Sequence, residues 1–389
     1  MTRLRIVVVV PGFPVERDEP GLAAVVDLVE RIGRVHDCRV VALRHPPAGR
    51  PYTVAGVRVT ALGVGTSGGA RGRAAVLARG VRAVMSLHRR APVDLVHGLW
   101  LDEPGAVAAL AGRLIRRPVL ASVMGGELVA LQDIGYGAAL GRGGRWTTAL
   151  ALRAADLVTA GASPVLAAVE ARRRGPVALL PLGVDLATFR PPEGGGPAPA
   201  ADAARTILWV GGLEPVKDPA AMLGAFARLA PERPELRLEM VGDGALRPFL
   251  EGEVGRLGLA GRVGFPGQVA RSTMPDRYRG AALLAVTSRH EGQSMVAVEA
   301  AACGLPVVGT RVGVLPDLSD AALTVPVGDE QALASAIAAV LDDPVRMAAM
   351  GQAARHIAET RFDLDATSAA LFDRYEALVR RGVAPASER

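Results

Sequence analysis

Apolar residues in this chain fall into short runs of four to six, separated by stretches in which they recur every three to four positions. Short continuous runs read as buried strands, and the 3.6-residue period reads as amphipathic helix. In the first half, strands are predicted at Ile6–Val10, Arg39–Leu43, Val93–His97, Val119–Val123 and Leu157–Ala160. Helices are predicted around Leu22–Val29, at Ala106–Ile115 and over 147–155. The second half restarts the same grammar with strands Thr206–Val210, Leu236–Val241, Arg262–Gly264, Leu283–Val286, Pro306–Gly309 and Ala322–Val325. Helices are predicted over 219–230, Leu246–Leu257, 275–280, Val296–Cys303 and Glu330–Leu341, the last stopped by Asp342-Asp343-Pro344. A final amphipathic stretch runs from about Asp365 to Arg380. Strands alternating with helices at this spacing imply parallel βαβ units.

Between the halves, Phe189 to Pro199 is too rich in Pro and Gly to form a core element and reads as a linker. The expected organisation is a first Rossmann-like domain over 1–185, a linker over 186–204 and a second Rossmann-like domain over 205–364. Ligands of open α/β sheets bind beyond the carboxyl ends of the strands, so two such domains would direct their loops into a shared cleft. A length of 389 residues fits two cores, and the 50% hydrophobic content fills them.

Composition narrows the function classes. Aromatic residues make up only 4%, which argues against stacking on single-stranded nucleic acid. The net charge of +6 is dispersed, so no nucleic-acid partner is expected, and a small anion or an anionic membrane surface fits as well. Two cysteines give neither a disulfide framework nor metal-ligand spacing, and no metal is expected. The apolar run at Ile6–Val10 is closed by Pro11-Gly12 and reads as a first strand rather than a secretory leader. A cytoplasmic protein is expected, with peripheral attachment at the inner membrane face as a variant. The basic helical stretch from Arg71 to Arg90 has two readings, a membrane-facing surface or a solvated face in an arginine-rich chain. The glycine-rich stretch from Asp133 to Trp146 reads as a loop.

Lys217 is the chain's sole lysine among 45 Lys+Arg. It closes Gly211-Gly212-Leu213-Glu214-Pro215-Val216, a glycine turn between a strand and a helix, the kind of place where phosphates bind. Lysine is a compact point charge and arginine a wide planar fork, so a narrow site around one phosphate oxygen can demand the former. The second dense segment runs from Ser288 to Pro306. Glu291 ends a strand-exit loop, and Gly292, Gln293, Ser294, Met295 and Val296 bring backbone amides to a helix start, where the positive helix end favours an anion or a hydroxylated ligand. Glu299 is the lone charge on an otherwise apolar stretch and needs hydroxyl or cationic partners.

These motifs resemble the family 4 retaining glycosyltransferases of the GT-B fold. Glu291 and Glu299 match the family's paired glutamates, separated by seven residues, and Gly211 to Lys217 matches its glycine turn. Val241-Gly242-Asp243-Gly244, Arg262 to Gly267, Cys303 to Val308 and Pro181 to Asp185 extend the similarity over essentially the whole chain. The resemblance implies two Rossmann-like domains facing each other across a cleft, with the C-terminal helix 365–389 crossing back to the first. It implies transfer of a sugar from a nucleoside diphosphate sugar, UDP- or GDP-linked, to an acceptor that is a small molecule, a glycan or a lipid-linked sugar. The stereochemistry would be retained, with neither metal nor cofactor. It assigns Lys217 and Glu291 to catalysis and Glu299 to the ribose hydroxyls. The amides of Gly292 to Val296, Gly212, Gly244 and, from the first domain, Gly21 would line the donor site. His97 and Glu127 are the acceptor-side candidates. Two positions depart from the pattern. Gly212 stands where many relatives carry a second phosphate-binding arginine, with Arg289 and Arg311 as candidate substitutes, and Met124 stands where a histidine is usual. Those departures leave a second reading, a nucleotide-sugar-binding protein without turnover; a third, a sugar-nucleotide epimerase on the same fold, is opposed by the paired glutamates and Gly211 to Lys217.

Overall fold

The computed structural model describes residues 2–383, apart from Asp18, Pro20, Ala48, 66–68 and 193–205. It comprises two units. Unit 1 is Met1–Leu182 with Asp365–Arg389, and unit 2 is Gly183–Leu364.

Unit 1 is built on strands β1 (Arg5–Gly12), β2 (Asp37–His45), β3 (Pro51–Val54), β4 (Val57–Ala61), β5 (Leu95–Leu99), β6 (Val119–Val123), β7 (Leu157–Ala160) and β8 (Val177–Leu179). They form one sheet in the order β3-β4-β2-β1-β5-β6-β7-β8, parallel except for the β3–β4 hairpin. Helices α1 (Ala23–Val35), α2 (Ala70–Arg90), α3 (Glu103–Ile115), α4 (Arg142–Ala154) and α5 (Ser163–Glu170) connect the strands. The central strands are buried on both faces, as continuous Val/Leu runs require in a parallel sheet.

Unit 2 carries β9 (Thr206–Val210), β10 (Arg237–Val241), β11 (Val263–Gly267), β12 (Leu283–Val286), β13 (Val307–Thr310) and β14 (Ala322–Val325). Its sheet order is β11-β10-β9-β12-β13-β14, parallel throughout. The helices are α6 (Pro219–Leu229), α7 (Arg247–Arg256), α8 (Met274–Arg279), α9 (Met295–Ala302), α10 (Glu330–Leu341) and α11 (Pro344–Arg361). The chain's last described helix, α12 (Leu364–Val383), returns to unit 1, where Leu371, Phe372, Tyr375 and Leu378 join the core around β1 and β2. Entry to and exit from unit 2 are tied together, since Val184 N donates to Phe362 O at 2.8 Å and Leu364 N to Val184 O at 3.1 Å.

Several sequence expectations are corrected. Phe189, read as the start of a coreless linker, is fully buried, with its ring 6.1 Å from that of Tyr278. The rest of the expected linker lies largely outside the described residues. The stretch from Gly141 to Trp146 was read as loop, yet α4 begins at Arg142. Gly144 is there for closeness, since a Cβ on it would lie 2.0 Å from Ala138 O, whereas one on Gly141 would meet nothing within 4 Å. Asp342-Asp343-Pro344 ends one helix and starts another. Asp343 caps α11 by accepting from Arg346 N at 2.9 Å, with Pro344 in the first turn, where its missing N–H costs nothing. The β3–β4 hairpin turns at Ala55-Gly56, both at positive φ, and the sequence reading did not assign it. No described helix is long and apolar enough to cross a membrane. In α2, Val76, Gly80 and Val84 are buried four apart, and they set one face of this basic helix inward.

Candidate active site

The candidate residues of unit 2 gather at the carboxyl ends of β9 and β12, which are adjacent and parallel. Two glycine turns make the floor. Leu213 N donates to Asp243 O at 3.0 Å and Gly211 N to Val241 O at 3.0 Å, which locks the exits of β9 and β10 together. Gly242, at φ 132°, and Gly244 permit this closeness, since a Cβ would lie 1.9 Å from Gly211 O at the first and 2.7 Å from Leu213 O at the second. The same contact gives Gly244 a structural task within the predicted donor turn. Gly212 is open: a Cβ there would meet only ordinary contacts, with Glu214 Cγ at 3.5 Å and Asp243 O at 3.9 Å.

Beyond the turn the chain reaches Lys217 and is capped into α6 by Asp218, whose carboxylate accepts from Ala221 N. Lys217 and Glu291, the two residues assigned to catalysis, are in direct contact, Nζ to Oε1 at 2.7 Å. Ser288 Oγ donates to the same Oε1 at 2.7 Å. Among the described residues none donates to Glu291 Oε2, and Lys217 Nζ has one partner for its three N–H groups. The lysine's backbone is fixed from below. Its carbonyl accepts from Thr287 Oγ1 at 2.8 Å, which in turn accepts from Trp209 Nε1 at 2.9 Å, and Arg289 N bonds Val216 O at 2.8 Å. The Lys217 side chain is 31% exposed and that of Glu291 10%, so a nearly buried carboxylate meets an ammonium within a ligand's reach.

Gly292, Gln293 and Ser294 are buried and Met295 and Val296 half-buried at the start of α9. Ser294 caps the helix at φ 78°, a left-handed conformation, and its hydroxyl is buried without a hydrogen-bond partner. Gly313 packs beneath, since a Cβ would come within 2.7 Å of Glu291 Cβ and 2.6 Å of Gln293 O. Val314 N then donates to Gln293 O at 2.7 Å. Glu299 is half-buried rather than engulfed, and Tyr278 donates its hydroxyl to Oε2 at 2.8 Å. Sequence reasoning missed Ser288, Thr287, Tyr278 and Gly313. Gly313 carried a signal as a lone glycine in a strand-exit loop; Tyr278 carried none beyond its place in a short helix. Of the two candidate substitutes for an arginine at 212, Arg289 abuts the lysine turn, whereas Arg311 is exposed and hydrogen-bonded to Thr324.

Gly21, His97 and Glu127 belong to unit 1. Gly21 follows β1 at φ 100°, exposed, with open space where a Cβ would stand, which leaves room for a ligand to approach. His97 and Glu127 are corrected as acceptor-side candidates. His97 is buried in the sheet with both ring nitrogens engaged, Nδ1 with Tyr375 OH at 2.7 Å and Nε2 with Ser122 Oγ at 2.8 Å. Burial pushes its imidazole down to about 3, so it stays neutral and holds α12 to the sheet. Glu127 is also buried, and it accepts from Leu101 N at 3.1 Å, Met124 N at 2.8 Å and Gly125 N at 2.6 Å. Burial raises its carboxyl and those amides oppose the rise. It staples the exits of β5 and β6 together. Beside it, Trp100 sits at φ 76°, strained for a bulky residue, and Asp102 keeps a buried, unpartnered Oδ1.

Comparison with known proteins places this geometry. The family model "Glycosyl transferases group 1" matches residues 198–357, and the model "Glycosyl transferase 4-like domain" matches 23–183. A D-inositol 3-phosphate glycosyltransferase of Streptomyces avermitilis is 34% identical over 324 residues, 77% of this chain and 69% of that protein. Its counterpart in Thermobispora bispora is 37% identical over 221 residues, 51% of this chain, and there the match spans half the relative's length. In architecture the chain is similar to sucrose-phosphate synthase from Thermosynechococcus elongatus (TM-score 0.80, 23% identity, 97% of this chain and 100% of that one). It is also similar to Anabaena HepE, solved in complex with UDP and glucose (TM-score 0.74, 20% identity, 97% and 100%). At those identities the likeness shows the fold, a two-domain GT-B arrangement of parallel sheets.

Proposed function

The chain belongs to the family 4 glycosyltransferases, and from that premise we propose that it moves a sugar from a nucleoside diphosphate sugar, UDP- or GDP-linked, to a hydroxyl of an acceptor, with retention at the anomeric carbon and without a metal ion. The observation that carries the reading is the Lys217–Glu291 contact at 2.7 Å, held where β9 and β12 end beside the start of α9.

Breaking the glycosyl–phosphate bond moves negative charge onto the departing diphosphate. A fixed cation and helix-start amides aimed at that charge stabilise the transition state more than the ground state. Lys217 supplies the cation with two N–H groups to offer; Glu291 Oε1 holds its head and Thr287 its backbone carbonyl in place. Glu291 turns its remaining oxygen to the sugar hydroxyls, and Glu299, aimed by Tyr278, accepts from the ribose. These groups supply the positive charge that a metal supplies elsewhere, which supports the metal-independent reading.

The test is release of nucleoside diphosphate from a panel of UDP-, GDP- and ADP-sugars, with and without EDTA, in the presence of candidate acceptors. Turnover that survives EDTA, with the anomeric configuration of the product read by NMR as that of the donor, is the expected result. Tight donor binding with no turnover on any acceptor would replace this reading with the nucleotide-sugar-binding one.

A further inference from the structure

Unit 2 holds a cavity of about 320 Å³ that the proposed reaction does not use. It lies at the opposite end of the sheet from Lys217 and Glu291. Ala281-Ala282 lead into the start of β12 and Leu305-Pro306 into the start of β13, and all four line it. Its volume falls within the range of small-molecule sites. The walls are predominantly apolar, from Pro191, Pro192, Ala282, Leu305, Pro306 and Met347, with Gln352, His356 and Glu359 exposed along the α11 rim.

Two arginines line the cavity, each paired with a carboxylate. Arg279 and Arg355 both line it, and both act on the Cys303 thiol in its wall, favouring the thiolate, while burial, the stronger influence, pushes that thiol up to about 12. Each guanidinium is fixed by the protein. Arg279 engages Arg190 O at 3.2 Å through Nη1 and Asp276 through Nη2. Arg355 engages Glu359 at 2.6 Å through Nε, and Phe189 O at 3.1 Å and Ala302 O at 2.7 Å through Nη1. Among the described residues this leaves Nε of Arg279 and Nη2 of Arg355 without an acceptor. Two immobilised guanidiniums with donors to offer, at the end of an apolar cavity, suit an anionic head on an apolar body.

Tyr278 connects this cavity to the donor site. It forms part of the cavity wall, and its hydroxyl donates to Glu299 at 2.8 Å. We propose that the cavity is a binding site for a small amphiphile with one anionic group, and that its occupant alters the donor site through Tyr278 and Glu299. The second half of this proposal rests on the reading of Glu299 as a donor contact; the first half does not.

The test uses the full chain with octanoate as probe, 1-octanol as its neutral counterpart and UDP as the donor fragment. Titration calorimetry is expected to show saturable octanoate binding in the low-millimolar range or tighter, the affinity of about ten non-hydrogen atoms. Octanol is expected to bind at least fivefold more weakly, and Arg279→Gln to weaken octanoate at least fivefold. Gln352→Trp, at the exposed rim, is expected to abolish binding with the melting temperature unchanged. Saturating octanoate is expected to shift UDP affinity at least threefold in the wild type and not in Tyr278→Phe. Absence of saturable binding, or equal binding in both variants, overturns the site, and equal binding of octanol overturns its anionic character. An unshifted UDP affinity overturns the coupling. If octanoate binds and UDP does not, the donor reading falls, the coupling falls with it, and the cavity assignment stands.

Discussion

Each sheet has, at its strand exits, carboxylates, paired glycines and non-glycine residues in the left-handed region. In unit 1 these include Glu127 and Asp102, Gly125-Gly126, and Trp100 at φ 76°; in unit 2 they include Glu291, Gly211-Gly212, and both Asp218 at φ 47° and Ser294 at φ 78°. The residue types are alike and the wiring differs. Glu127 is buried and both of its oxygens are bonded by backbone amides of its own loops. Glu291 has one oxygen taken by Lys217 and Ser288, and the other accepts from no described residue. A polar group at a strand exit is therefore not by itself a sign of chemistry. What separates the two ends is whether the protein has already satisfied the group, because a buried acceptor that is fully bonded holds backbone in place, while one left half-bonded beside a reachable cation can hold a substrate.

The contrast breaks most sharply at Lys217. Lys217→Ala is expected to lower kcat by about 10³, equivalent to about 4 kcal/mol of transition-state stabilisation, with the melting temperature nearly unchanged. A steady-state assay of nucleotide release alongside a thermal melt reads both. Turnover within threefold of wild type would show that the ion pair belongs to the scaffold, as Glu127 does.

Glu127→Ala tests the other side. It leaves the amides of Leu101, Met124 and Gly125 unpaired in the interior, at a cost of about 3 kcal/mol. Urea unfolding should register that loss, and the loss of activity should follow the unfolded fraction. A variant as stable as wild type yet inactive would return Glu127 to the acceptor side.

Asp102 gives unit 1 a pH signature. Burial, then the nearby Glu127 and Glu103 charges, push its carboxyl up to about 7. Between about pH 4 and 7 the unfolded chain has lost this proton and the folded chain keeps it. The unfolded state then binds fewer protons, so stability declines as pH rises through that window and levels off above it. Asp102→Asn should remove a decline on the order of 2 kcal/mol, measured as unfolding free energies at pH 4.5 and pH 8. An unchanged slope in the variant would mean that other groups set it.

How much of this was readable beforehand depended on whether the information was local. β6, β7, β9 and β12 match their apolar runs to the residue, because a strand buried on both faces must be apolar along its length, and β14 matches as well although it is a half-buried edge strand. Lys217 stood out as the sole lysine, Glu299 as the lone charge on an apolar stretch, and Glu291 by its place before a helix start and its spacing from Glu299. Their wiring was not legible, since Tyr278 is 21 positions from Glu299, and Lys217 is 74 from Glu291. The fate of His97 was hidden for the same reason: its partner Tyr375 is 278 positions away, on a helix whose return to the first domain the family resemblance implied but whose contacts there it did not. Gly144 misled because a small residue chosen for close packing and one chosen for a turn look the same in a sequence. Asp342-Asp343-Pro344 was legible as the stop of α10, while the start of α11 on the same residues was not, because a helix stop and a helix start can share them.

Gly212 offers the finest adjustment of the comparison, because it asks whether the donor end can be made more ligand-ready than it is. Its φ is not in the left-handed region, and a Cβ would meet nothing closer than 3.5 Å, so a side chain fits without moving backbone. Gly212→Arg would place a second cation beside Lys217. Its nearest neighbour would be Glu214, whose Oε1 already accepts from Ala245 N at 3.3 Å and would compete for the guanidinium. That competition limits the expected gain to about two- to tenfold in donor affinity, at most about 1.4 kcal/mol, the scale of one charge-assisted contact at a partly exposed site. Titration of UDP into the variant and the wild type measures it. Tighter binding would mean that position 212 still faces the phosphates and that Lys217 carries their charge alone only for want of a partner. Unchanged binding with the fold intact would mean that Glu214 has captured the arginine, and the double variant Gly212→Arg with Glu214→Gln should then release it.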